Sequence, residues 1–278
     1  MSFSRQYPFN QGFTLIELII AIVIMGILSF GTVQFMLNTS DAYDQTARRD
    51  QLASAGRVAI EKMSREIRNA LPNSARVASN CIEFVPVLGG SSYISIPTQT
   101  ASSSLSSFVS VPFSSGSIPS IIGRAAVYPL NVADIYQLTA PSVISPQIST
   151  ASSALVSSST AVSVAWASPH QFLTESPTKR WFMVDTPTSF CLVAGNLYRY
   201  HGGSYGFEAT QPTSDSTLPI SVATGRTLLA TQVSSEGAPF TVVAATLQRN
   251  AMVQIDLSFT ELGEGIRINH EVQLRNVP

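Results

Sequence analysis

From Phe13 to Leu37 the chain runs 25 residues with one charged side chain, Glu17. As a helix this stretch extends about 37 Å, at about 1.5 Å per residue, against a hydrocarbon core about 30 Å thick. The segment is therefore long and apolar enough to cross a membrane. A charge inside such a span costs on the order of 3 kcal/mol on insertion scales, so Glu17 needs a partner. Cleavage after Gly12 would make one, because the freed α-amine of Phe13 would lie one helical turn before Glu17, at the i,i+4 spacing where neighbours meet. That amine would neutralise Glu17 in its own chain or in a helix packed alongside. The plainer alternative is an anchor with Glu17 at headgroup level. Another is an ordinary signal peptide, with Leu18–Leu28 as its apolar region and Ser29-Phe30-Gly31 as its cleavage site. Glu17 and a basic region holding only Arg5 argue against it. The first reading starts the mature chain at Phe13, the signal peptide at Thr32.

Gly12-Phe13-Thr14-Leu15-Ile16-Glu17 resembles the class III signal of type IV pilins and type II secretion pseudopilins. The resemblance implies cleavage between Gly12 and Phe13 by a prepilin peptidase, N-methylation of Phe13, and use of Glu17 in subunit registration. It implies insertion in the bacterial inner membrane with the bulk of the chain periplasmic, and then a place in a cell-surface pilus. Partners would be other minor pilins and the major pilin, met through helix packing.

Past Leu37, Asn38-Thr39-Ser40-Asp41 are poor helix formers and leave room for a bend. From Asp44 to Leu71 the residues Leu52, Ala55, Ala59, Met63, Ile67 and Ala70 recur at steps of three and four, with Arg57, Glu61, Lys62, Arg65, Glu66 and Arg68 on the other face. This is an amphipathic helix, ended by Pro72. A membrane anchor followed by a coiled-coil stalk is the alternative, but the stripe is alanine-rich and barely three heptads long. Gly26 and Gly31 are five apart and make no G-x-x-x-G dimer motif. Packing on the chain's own sheet is expected instead.

Strand signals follow. Cys81–Leu88, with Pro86 marking an edge or end, is one candidate; Tyr93–Ile96, Phe108–Val111, Ala161–Trp166, Trp181–Asp185, Phe190–Val193 and Leu197–Tyr200 are others. No Asp, Glu, Lys or Arg stands between Glu83 and Arg124 or between Asp134 and Glu175. These Ser- and Thr-rich stretches suit antiparallel strands or low-complexity loops. At the end, Val253, Ile255, Leu257 and Phe259 share one face, and Ile266, Ile268, Val272 and Leu274 resume it after a glycine-bearing loop, against Arg267, Asn269, Glu271, Gln273 and Arg275 outward. That pattern is a β-hairpin with His270 half-buried on its inner face. With the anchor entering N-terminus-in, Cys81 and Cys191 lie on the oxidising side of the membrane and are expected to form the one intrachain disulfide they admit, two buried free thiols being the alternative.

With 16 basic and 17 acidic residues and a pI near 6.3, the chain has no electrostatic footprint for nucleic acid. Gly202-Gly203-Ser204-Tyr205-Gly206 matches a nucleophile elbow, but Phe207–Pro212 cannot supply the helix that an elbow needs. His170, His201 and His270 lack metal spacing, so neither a metal nor a cofactor is expected. Trp181, Tyr198, Tyr200, Tyr205 and Phe207 form an aromatic group suited to core packing or to stacking on sugars. Enzyme activity is not expected.

Arg57–Ala75 resembles the J-type minor pseudopilins, in which an Arg-Glu-Ile/Leu-Arg segment closes the spine helix. Cys81–Pro86, Phe190–Tyr200 and Val272–Pro278 are similar to minor pilins of the mannose-sensitive haemagglutinin (MSHA) pilus. The implied fold class is α+β and pilin-like: leader 1–12, filament-core helix 13–37, amphipathic helix 38–72 and a β-rich head 73–278. The implied role is a low-copy subunit that primes or caps pilus assembly. A type II secretion pseudopilin and a tip-located adhesive module are the alternatives.

Overall fold

The computed structural model describes residues 12–100, 103–113, 123–156, 160–214, 216–244 and 250–274. The leader before Gly12 and the closing residues Arg275–Pro278 lie outside them. The chain divides into two compact units, Met1–Gln51 and Leu52–Pro278.

Helix α1 (Leu15–Arg68) is unbroken. The polar residues at Asn38–Asp41 do not interrupt it, because Thr39 donates its hydroxyl to the Phe35 carbonyl at 2.8 Å, satisfying itself within the helix. In the first unit no described residue is buried, and only Ala21 and Arg48 are even half-covered. In the second unit α1 buries Leu52, Gly56, Ala59, Ile60, Met63, Ser64 and Ile67. Ala55, expected on this face, is exposed; Gly56 takes its place. A Cβ on Gly56 would come within 2.6 Å of Ile268 Cδ1 and 3.1 Å of the Phe259 ring, so a larger residue would oblige both side chains to give way. α1 ends three residues before the expected Leu71, since Ala70 pairs as a bridge with Pro86 and the Leu71 N–H donates to the Val85 carbonyl at 2.7 Å.

The strands follow in order. β1 (Arg76–Ala78), β2 (Cys81–Phe84), β3 (Val87–Ser95), β4 (Leu105–Ser110) and β5 (Arg124–Ala126) come first. Short helix α2 (Val132–Ile135), β6 (Ile144–Gln147), short helix α3 (Ser152–Leu155), β7 (Val162–His170), β8 (Arg180–Val184), β9 (Thr188–Val193) and β10 (Asn196–His201) come next. A 3-10 turn at Val222–Thr224 precedes β11 (Arg226–Thr231), β12 (Val233–Ser234), β13 (Phe240–Val243), β14 (Met252–Glu261) and β15 (Glu264–Gln273).

They form three antiparallel sheets. One has the order β1-β2-β9-β10-β11. In another, β12 and β13 lie end to end along one edge of β14, and β15 pairs with the other. The α1 face packs on these two sheets, with Phe84, Phe190, Leu197, Phe240, Val253 and Phe259 in the shared core. The expected hairpin is β14–β15, turned by Leu262 (φ 48°) and Gly263 (φ 88°), the paired positive φ of a type I′ turn.

The third sheet, β6-β5-β8-β3-β4-β7, closes on itself. Its outer strands meet at an Ile148–Trp166 bridge, and the Ser149 N–H donates to the Ala165 carbonyl at 2.7 Å. Side chains alone fill a barrel this small. Trp181 lies at its centre, edge-on to Phe108 and Phe113 and donating its indole N–H to Ser110 Oγ at 2.7 Å. The uncharged Ser/Thr-rich stretches thus supply four of the barrel strands, β3, β4, β6 and β7. The barrel is an insertion, because β2 and β9, which bracket it in sequence, pair directly. Pro86 sits at the junction, ending β2 and preceding β3.

Candidate functional site

Local chemistry builds the entrance to α1. Gly12, Phe13 and Thr14 precede the helix, and Phe13 is 82% exposed. Thr14 is the last residue before the helix. Its hydroxyl oxygen accepts the Glu17 N–H at 3.3 Å and lies 3.4 Å from Glu17 Oε2. Thr14-x-x-Glu17 matches the capping-box sequence pattern and forms the threonine half of it, a helix-start signal that a reading focused on the lone charge overlooks. In the uncut chain Glu17 has this neighbour; an α-amine on Phe13 would exist only after cleavage. From Phe13 to Leu37 the large apolar side chains Phe13, Leu15, Ile16, Ile22, Met25, Ile27, Phe30 and Phe35 are each at least 61% exposed.

The match to known families falls on this stretch. The family model described as the prokaryotic N-terminal methylation motif matches residues 8–33. The chain carries a type IV pilin-like N-terminus. This motif supports a pilin-like or pseudopilin subunit, implies prepilin peptidase processing and assembly with other pilins, and belongs to structural rather than catalytic proteins. The apolar helix beside it fits inner-membrane anchoring. Comparisons with curated proteins and with solved structures return no match.

The remaining expected positions fall elsewhere. Cys81 and Cys191 are register partners of β2 and β9, and their sulfurs are bonded at 2.00 Å. Around them pack Tyr200, Tyr205 and Leu218, with Tyr198 alongside. Trp181 is in the barrel and Phe207 lies against the Leu71 and Val85 cluster. The five aromatics therefore share no sugar-stacking face.

Beside the disulfide, Glu83 is fully buried. It receives Arg76 Nε at 2.5 Å and the Tyr205 hydroxyl at 2.6 Å, while Arg76 also donates to the Glu208 and Ala209 carbonyls. Burial pushes the Glu83 carboxyl above its ordinary value, opposed by Tyr205 and Arg76. The arrangement ties β1, β2 and the loop at Tyr205–Ala209 together.

The G-x-S-x-G string follows β10, but no helix succeeds it. Gly202 (φ 67°) and Gly203 (φ 61°) make a turn, and a Cβ on Gly203 would strike the Thr224 main chain at 2.5 Å. The Ser204 hydroxyl donates to the Thr224 carbonyl at 3.3 Å. His201 is no base for it, since Nε2 faces Asp185 Oδ2 at 3.5 Å and Nδ1 faces Thr188 Oγ1 at 3.0 Å. Burial works against the Asp185 charge, but hydrogen bonds from His201 and Thr186 outweigh it and hold that carboxyl below its usual range. His170, His201 and His270 lie on β7, β10 and β15. Among the described residues no three His, Cys, Asp or Glu side chains stand together as metal ligands.

Proposed function

We propose that this chain is a minor pilin, cut between Gly12 and Phe13, N-methylated on Phe13, and assembled through residues 13–37 into an MSHA-like type IV pilus, where it primes or caps polymerisation. The observation that carries the reading is a helix that starts at the methylation motif and buries none of its apolar residues as far as Leu37. Lipid covers such a surface in the precursor, and neighbouring subunits' helices cover it in a filament. Glu17 then takes the Phe13 amine of its own or an adjacent subunit. The amphipathic half, 38–72, carries the β-rich head, 73–278, which is periplasmic before assembly and displayed at the pilus tip afterwards. An oxidising periplasm keeps the Cys81–Cys191 bond formed.

A second reading, a binding module carried at the tip, is favoured by the inserted barrel, a body beyond the sheets on which the helix packs. A type II secretion pseudopilin shares the N-terminal chemistry and the Arg65-Glu66-Ile67-Arg68 ending of the spine. A deletion strain separates these readings. Loss of all pili supports assembly, normal pili with lost adhesion support the binding module, and intact pili with a secretion defect support the pseudopilin. Glu17→Ala is expected to leave the protein processed and in the membrane but absent from sheared filaments.

A further inference from the structure

The two flanks of α1 in the second unit differ in how their charges are met. On one flank Glu66 accepts Arg199 Nε of β10, at 2.7 and 3.0 Å to its two oxygens. On the other, Arg57, Glu61, Arg65 and Arg68 face Ile268 and His270 of β15 across a groove of about 390 Å³. None of the three arginines forms an ion pair among the described residues. Asp256 and Glu271 lie on the sheet face turned away from α1, where Arg267 and Gln254 engage them, and do not line the groove. Three arginines against one glutamate leave the groove basic in a chain whose overall charge is close to neutral.

β15 adds a second feature. It pairs with β14 only, so along residues 265–273 the outer edge offers main-chain donors and acceptors without a strand partner among the described residues. Such an edge is a template for another strand. Because side chains alternate across a strand, every second residue of an added strand would point to the α1 side of the sheet, towards the arginines.

We infer that this groove docks an extended acidic segment of another protein chain, its carboxylates held by Arg57, Arg65 and Arg68 and its main chain added to the edge of β15. A lipid headgroup satisfies the arginines but leaves the strand edge unpaired. The source of the segment, a neighbouring subunit, rests on the assembly role proposed above; the chemistry of the groove does not.

The test uses the full chain in detergent micelles and a fluorescent octapeptide of alternating Glu and Val. The peptide binds, and an alternating Lys and Val peptide does not. Arg65→Glu/Arg68→Glu lowers the affinity at least tenfold, Glu61→Gln raises it, and β15 amides gain protection from hydrogen exchange in the complex. Circular dichroism confirms that the reversal variant is folded; if it is not, Arg65→Gln/Arg68→Gln takes its place with the same expected direction. Unchanged affinity in these variants, binding without protection of β15, or arginine-dependent binding of phosphatidylglycerol vesicles in place of the peptide overturns the inference. The mature N-terminus is read on the same sample. A start other than Phe13 removes the assembly reading and leaves the peptide result standing, whereas absent peptide binding in a chain that starts at Phe13 removes the groove alone.

Discussion

One helix carries two opposite solutions to the same problem. Residues 15–37 of α1 are apolar all round and bury nothing, whereas residues 52–68 confine their apolar side chains to one face and bury it. A helix buries an apolar stripe within its own domain only when that domain supplies a matching surface, and here the two-sheet core supplies it to the second stretch alone. The first stretch, left without an internal partner, must be covered by lipid or by other chains. On the function proposed above, the first half serves assembly and the second attaches the head.

The largest expected effect breaks the comparison directly. Ile67→Ala empties a fully buried position and should destabilise the head by about 4 kcal/mol in urea unfolding followed by circular dichroism. Ile24→Ala, at a position 51% exposed, should change head stability by less than about 0.5 kcal/mol. Equal effects would mean that the two halves do not differ as described. Next, Glu83→Ala takes the carboxylate from a mostly covered Arg76 and should cost about 3 kcal/mol by the same assay.

A pH scan sharpens the contrast, because the head buries a histidine. Burial holds the His170 imidazole down at about 4, from an ordinary 6.5, despite a main-chain contact at Ser142. Its Nε2 has no partner among the described residues, and Phe172 and Trp166 pack edge-on against the ring. The unfolded chain takes up a proton below pH 6.5 that the folded head refuses, so stability present above 6.5 is lost as pH falls towards 4. Melting temperatures of His170→Phe should fall less over that window than those of the parent. The smallest effect is at the helix entrance. Thr14→Ala removes a cap worth about 1 kcal/mol and should speed hydrogen exchange over residues 15–20 while leaving the head's melting temperature unchanged.

Much of this was legible because it was written in periodicity. The apolar run, the 253–274 hairpin, the half-buried His270 and most strand positions follow from spacing alone. Gly56 was not legible, since a residue without a side chain leaves no mark in a hydrophobic stripe, and its role appears only when Phe259 and Ile268 come close. The barrel was not legible either. Its strands β5 and β6 are three and four residues long, and its closure at Ile148 and Trp166 depends on a contact between strands far apart in sequence. At the helix entrance, Thr14 and Glu17 read as a charge awaiting a partner, while the same two residues also spell a capping box. Glu17 is also the residue proposed above to meet the amine that cleavage frees.

That amine is the most direct point of attack. Intact mass and N-terminal sequencing of the protein isolated from its native membrane should show a chain that begins at Phe13 with a methylated α-amine. A mature chain beginning at Thr32, or one still carrying residues 1–12, would contradict the account.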